Sequence, residues 1–247
     1  MKLSIIFVLL SVIALTYCGN RPKRGVKKAI ELTHEEHMYY VDMHNAKRSE
    51  VEPAASNMQR MFWDKELADI SEKHSRTCID KHSSRESRQN EKYSSAGENL
   101  FAISPEVPVK VVLEHSLKGW FNEKRFYTLD TNGCTGVCGH YTQVTWAQSV
   151  AVGCGVTTCE NFDLGGKVQD VGMFVVCTYG PAGNVVGSKP YLAGTACSDC
   201  PATHSNCTEN LCSIPGAGHS HSGGSSEIFR FPALFLSLAA MTVVQLV

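Results

Sequence analysis

The chain lacks an excess of either charge: 23 basic residues stand against 24 acidic ones. Nucleic-acid binders carry a strong basic surplus to neutralise phosphates, so that class is excluded. No internal repeat is present, which removes repeat arrays from consideration. The His-Glu-x-x-His helix of the zinc peptidases is missing, and no serine or cysteine nucleophile signature replaces it. Long apolar runs are absent from the interior and confined to the two ends. The first, Leu3 to Leu15, is too short to cross a hydrocarbon core of ~30 Å.

That run follows Met1 and Lys2 and has the length of a signal-peptide core, so 1–18 reads as a signal for secretion. Thr16 and Cys18 are small enough for the positions before a cleavage site, which Tyr17 blurs. A lipoprotein signal ending at Cys18 is the weaker reading, because Tyr17 is bulky where such signals need a small residue. Cleavage after Cys18 leaves ten of the eleven cysteines, an even number suited to full pairing in an oxidising compartment. The basic leader at 19–32 (Arg21, Lys23, Arg24, Lys27, Lys28) reads as a solvated segment, with a processing site or a patch for acidic surfaces as alternatives.

At the other end, 214–230 is a Gly/Ser/His linker and 231–247 an apolar tail with no charge after it. Small residues, spacer and hydrophobic terminus are the order of a GPI-attachment signal, with Ser222 and Gly223 as attachment candidates. A transmembrane anchor is the alternative, although such anchors usually end in cytoplasmic Lys or Arg. Both readings tether the protein to a membrane outside the cell. His219 and His221 in the linker, with one residue between them, would bind metal only weakly, so a plain linker is the default reading.

The remaining length is enough for one domain with a sizeable core. Thr33 and Glu36 form a capping box that opens a helix through Met38, Val41 and His44 to about Ser49. A second helix starts near Asp64 and aligns Leu67, Ile70, Ser71, His74 and Cys78. Ser104-Pro105 is in the cap-then-proline order and predicts a third helix, with Val109, Val112, Leu113, Ser116 and Trp120 as its buried stripe. Strands are expected at His140 to Trp146, where aromatic and β-branched residues cluster, and at Ala151 to Thr157 and Gly172 to Tyr179. Helices followed by strands, rather than alternating with them, argue for an α+β fold with an antiparallel sheet.

Two stretches carry more than secondary structure: Gly139-His140-Tyr141-Thr142-Gln143-Val144-Thr145-Trp146 and Cys177-Thr178-Tyr179-Gly180-Pro181-Ala182-Gly183-Asn184. In this order, with Gly97-Glu98-Asn99-Leu100 and His44-Asn45 upstream, they resemble the paired signatures of the CAP superfamily, which holds cysteine-rich secretory proteins, insect venom antigen 5 and plant pathogenesis-related protein 1. Val137-Cys138-Gly139-His140 and the tail from Tyr191 to Cys212 point within it to the glioma pathogenesis-related group. The similarity covers about residues 33 to 212.

The resemblance implies a three-layer α/β/α sandwich over 33–192 and a short cysteine-rich hinge over 193–213. It implies the pairs Cys78–Cys159 and Cys154–Cys177, and crossed pairs Cys197–Cys207 and Cys200–Cys212 in the hinge. Cys134 and Cys138 are near enough in sequence to pair with each other. Zinc is the rival reading of the four hinge cysteines, and secretion favours disulfides. Ala96 and Gly180 stand where venom-type relatives carry a further cysteine pair. The channel-regulating module that follows the hinge in venom members is missing, and with it the usual basis for expecting channel blockade.

Four residues match the central cleft of the family: His82, Glu98, Glu123 and His140. Two imidazoles and two carboxylates suit a divalent ion such as zinc, or general acid and base work. The competing reading is a polar network that fixes helices against the sheet. His34, His37, His44 and His74 read as surface or satisfied core residues. Asn206-Cys207-Thr208 is a glycosylation sequon with cysteine in the middle. The expectation is a non-enzymatic surface module that needs no cofactor, with zinc as an optional ion and a protein, lipid or sterol as partner. A zinc-dependent hydrolase using Glu98 or Glu123 as base is the alternative. Among relatives, sterol binding, gamete interaction and defence all occur; a lipid carrier would use the loop between Phe162 and Val171.

Overall fold

The computed structural model describes residues 23–216 and 242–245. The signal at 1–18 with Cys18, the linker with Ser222, Gly223, His219 and His221, and most of the 231–247 tail lie outside these residues.

Strand β1 (Gly25–Ile30) lies in what reads as a solvated basic leader, and that reading is corrected here. It pairs antiparallel with the strand Ala151–Leu164 that follows the first signature, Ile30 opposite Val156. Lys27 and Lys28 stay exposed, as suits an edge strand. Helix α1 (His34–Ser49) is capped by Thr33 and Glu36 in a full capping box. Strand β2 (Phe62–Trp63) leads into helix α2 (Lys65–Ser75), whose N-cap is Asp64. Cys78 lies three residues past the helix end in a left-handed turn (φ 51°) and is fully buried.

Strand β3 (Gly97–Ser104) was not anticipated from the sequence, although Leu100, Phe101, Ala102 and Ile103 are all fully buried. A strand buried on both faces shows no alternation to detect. Ser104 ends this strand and donates to Val171 O at 2.8 Å, so it does not cap the next helix. Helix α3 (Val109–Asn122) starts after Pro108, four residues later than expected, with the anticipated stripe facing the core. A 3₁₀ turn, Glu123–Phe126, follows it, then the short pair β4 (Tyr127–Thr128) and β5 (Gly133–Cys134).

The segment expected as a strand from His140 to Trp146 is instead helix α4 (Gly139–Val144). Its local β propensity loses to tertiary demands. As a helix it buries Tyr141 and Val144, three residues apart, against α3 and the sheet. A carboxylate from outside the segment satisfies its first amides, as described below.

Strands β6 (Ala151–Leu164) and β7 (Lys167–Gly180) form a long antiparallel hairpin that contains both remaining predicted strands. The hairpin closes tightly with Leu164 opposite Lys167, so no open loop lies between Phe162 and Val171. The sheet order is β1-β6-β7-β3, with β2 making a short parallel pairing on β6. In the hinge, β8 (Asn206–Thr208) pairs with β9 (Leu211–Ser213). Residues Thr242–Gln245 form β10 on the outer edge of β3.

Helix α2 covers one face of the sheet and α1, α3 and α4 the other, giving an α/β/α sandwich. Cys154–Cys177 and Cys78–Cys159 cross-brace it; Cys134–Cys138, Cys197–Cys207 and Cys200–Cys212 tie the loops and hinge. The hinge is docked, not free: Leu211 is fully buried, and Cys212 N donates to Met58 O at 2.7 Å. Among the described residues no helix is long and apolar enough to cross a membrane.

Candidate functional site

Alternate residues of β3 point to opposite faces of the sheet, and this divides the site in two. Glu98 turns toward α2 and the loop after it. Its carboxylate accepts from His82 Nδ1 (2.8 Å), Ser83 N (3.0 Å), Ser83 Oγ (2.7 Å) and Arg88 Nη1 (3.5 Å). Burial of this side chain opposes ionisation, but the bonds from His82 and Ser83 and the charges of His74 and Arg88 outweigh it, holding the carboxyl below its ordinary range. His82 itself is exposed at 37% of its side chain.

Glu123 sits on the opposite face, at the end of α3, and is 3% exposed. It accepts His140 Nδ1 at 2.7 Å, His140 N at 3.0 Å and Tyr141 N at 3.2 Å. Those two amides belong to the first turn of α4 and lack helical partners, so a remote carboxylate caps this helix. Trp120 stacks near the His140 ring, with centroids 6.1 Å apart, and anchors itself on Leu100 O at 2.9 Å. His140 Nε2 is buried and has no partner.

Asn99 joins the halves: its amide donates to His140 O at 3.1 Å, one residue along from Glu98. The four predicted residues are thus gathered as two His–Glu pairs on either side of β3. Among the described residues, no three of them offer ligand atoms within 4.8 Å of one another. The sulfurs of Cys197, Cys200 and Cys212 do meet that distance, but each belongs to a disulfide and is no thiolate ligand.

Beside the first pair opens a cleft of about 510 Å³ between the 82–88 loop, the start of β3 and the 182–186 loop. Ser83 and Arg88 were not singled out from the sequence, and Asn99 entered only as part of the Gly97–Leu100 motif, because only distant pairing gives them a role. His44 is fully buried with Nδ1 on Tyr40 O (2.8 Å) and Nε2 on the Tyr179 hydroxyl (3.0 Å), a satisfied core residue. Its pKa falls to about 4 through burial. His37 stacks on Trp63, His34 is exposed, and His74 bonds Lys81 O while lying 4.0 Å from Glu98. Asn206 is exposed on β8.

The model of the cysteine-rich secretory protein (CAP) family matches residues 41–179. The chain belongs to the CAP family. Human peptidase inhibitor 16 is 39% identical over 189 residues, covering 75% of this chain but 38% of that protein. Human GLIPR1-like protein 1 is 37% identical over 180 residues, 71% of this chain and 70% of the relative. Mouse glioma pathogenesis-related protein 1 is 38% identical over 176 residues, 71% of this chain and 63% of the relative. This CAP chain therefore spans little more than a third of the peptidase inhibitor 16 length. Among solved structures, NaASP2 with Zn2+ is 28% identical with a TM-score of 0.57, covering 78% of this chain and all of that one. Na-ASP-1, 24% identical with a TM-score of 0.60, shares the fold.

Proposed function

We propose that this CAP protein is an extracellular, non-enzymatic binding module, tethered to the cell surface by its C-terminal segment, whose cleft beside Glu98 receives a protein partner. The observation that carries the reading is that both carboxylates are already spent. A general base needs a lone pair facing the substrate. Glu98 accepts from His82, Ser83 and Arg88, and Glu123 accepts from His140 and two backbone amides. These are positioning roles. Five disulfides among the described residues support an oxidising compartment. The name of peptidase inhibitor 16 also describes binding rather than turnover.

A divalent cation fits the same residues as an accessory. Each histidine gives Nδ1 to a carboxylate, the arrangement that orients a ring for metal at Nε2, and His140 Nε2 is buried without a partner. At each pair the histidine would be the ligand, His82 supported by Glu98 and His140 by Glu123, and the ion would supply positive charge there. The NaASP2 structure carries Zn2+ on a related chain. Sterol is the less favoured partner class, since Phe162 and Leu164 are buried in the closed hairpin.

The test is zinc titration of the purified full chain together with a peptide-cleavage screen with and without chelator. Glu123→Gln should weaken zinc binding about 10- to 100-fold, with no cleavage under any condition. Metal-dependent cleavage abolished by His140→Ala would establish the hydrolase alternative in place of this reading.

A further inference from the structure

The second signature ends in a loop that the two His–Glu pairs do not use. Val185 is 55% exposed and Val186 100% exposed. Single exposed apolar residues are ordinary on a protein surface, but here two stand side by side. This loop is fastened along its length. Ala182 N donates to Ser95 O (3.0 Å), Gly183 N to Gln143 Oε1 (3.0 Å) and Asn184 Nδ2 to Gly139 O (2.9 Å). Thr142 Oγ1 donates to Asn184 Oδ1 at 2.7 Å, and Ser188 N to Val185 O at 3.0 Å. A Cβ on Gly183 would lie 2.8 Å from the Trp146 ring, so the loop is also packed against α4's end. The two valines are therefore held outward by a rigid base, at no further ordering cost to a ligand.

The facing wall carries two arginines, with Glu98 and Glu86 beside them. Arg85 is exposed, and Arg88 is largely covered, with 12% of its side chain accessible. Arg88 Nε is buried with no partner, and its Nη1 reaches Glu98 only at 3.5 Å, because His82 and Ser83 hold that carboxylate more closely. Arg88 is thus partly spent on Glu98, and Arg85 is the guanidinium that the wall presents openly. Valines and arginines line the same cleft.

We infer that this cleft docks a segment of a partner protein in which a carboxylate neighbours a branched apolar side chain. The carboxylate sits on Arg85 and Arg88, and the apolar group on Val185 and Val186. This assignment rests on the binding-module reading above and names the chemistry of its partner. Arg85, exposed and in no salt bridge among the described residues, selects an acidic ligand, and the exposed valine pair selects a peptide over a sugar or lipid headgroup, which have no use for it.

The test uses the full chain and a fluorescein-labelled, amide-capped peptide alternating Glu with Leu and Val, read by anisotropy. A Gln-for-Glu peptide and a Gln peptide with a free C-terminal carboxylate serve as comparisons. Binding of the acidic peptide should fall about tenfold or more with the neutral peptide, with Arg85→Gln and with Val186→Ser, while the melting temperature holds. Arg85→Gln should also flatten the salt dependence, and Val186→Ser should leave it unchanged. Binding of the free-carboxylate peptide at the same arginines would support the assignment with a chain terminus as the source. Equal binding of the amide-capped neutral peptide, no binding of either acidic form, or capture of heparin oligosaccharide or phosphatidylserine vesicles unaffected by Val186→Ser would overturn it. A neutral peptide lost on Arg88→Lys would sink the acidic assignment yet keep the cleft as a binding site. Cleavage of the peptide would sink the binding-module reading beneath it.

Discussion

His44 and His140 are the same side chain in opposite circumstances. Both are buried, but His44 has partners on both nitrogens and His140 on one. His44 is held neutral, with its pKa down at about 4 because burial penalises the cation. Its contribution to stability is whole above the unfolded value near 6.5 and is lost as pH falls from there through 4, by about 1.4 kcal/mol per unit. A His44→Gln variant should therefore show a flatter fall in unfolding free energy between pH 6.5 and 4, amounting to about 3 kcal/mol, in urea titrations at each pH. The same slope in both proteins would show that this ring does not charge on unfolding. At this scale the sequence marked His82, Glu98, Glu123 and His140 only through resemblance. Composition holds no sign that Glu123 feeds two amides of a helix 17 residues away, since that pairing exists only after α3 and α4 pack.

Elements tell a different story. Helix α1 was legible to the residue because its capping box is local, four consecutive positions that satisfy each other. Helix α4 was read as a strand, because its aromatic and β-branched residues argue one way and its remote cap another. Local propensity is worth less than a satisfied helix start and two buried side chains. Helix α2 lies backbone-to-backbone on β6: a Cβ on Gly155 would come 2.4 Å from Glu72 N and 2.5 Å from its Cα. No side chain there can swing aside. Gly155→Ala should cost about 3 kcal/mol in chemical denaturation, while Gly139→Ala, whose Cβ meets nothing nearer than 3.9 Å, should stay within about 1 kcal/mol of wild type. Equal effects would mean that the helix can lift off the sheet without loss.

Over the whole molecule the covalent frame sets the order of losses. Cys78–Cys159 closes a separation of 81 residues and Cys197–Cys207 one of 10. Chain entropy then assigns about 4.5 kcal/mol to the first and about 2.7 kcal/mol to the second. Paired Cys→Ser variants should rank that way in guanidinium unfolding, and a reversed order would show that hinge docking through Leu211 and Cys212, not loop closure, dominates. What the sequence determined by itself was whatever is written in neighbours: the capping box, the amphipathic stripe of α3, the hairpin strands and the balanced charge. What the tertiary structure alone decided was the edge strand in the leader, the helix at the first signature, the two separate His–Glu pairs and the fastened valine loop opposite Arg88. Each of these depends on polar groups whose partners lie far along the chain. A hydrogen bond leaves no trace in sequence until folding brings both of its ends to one place.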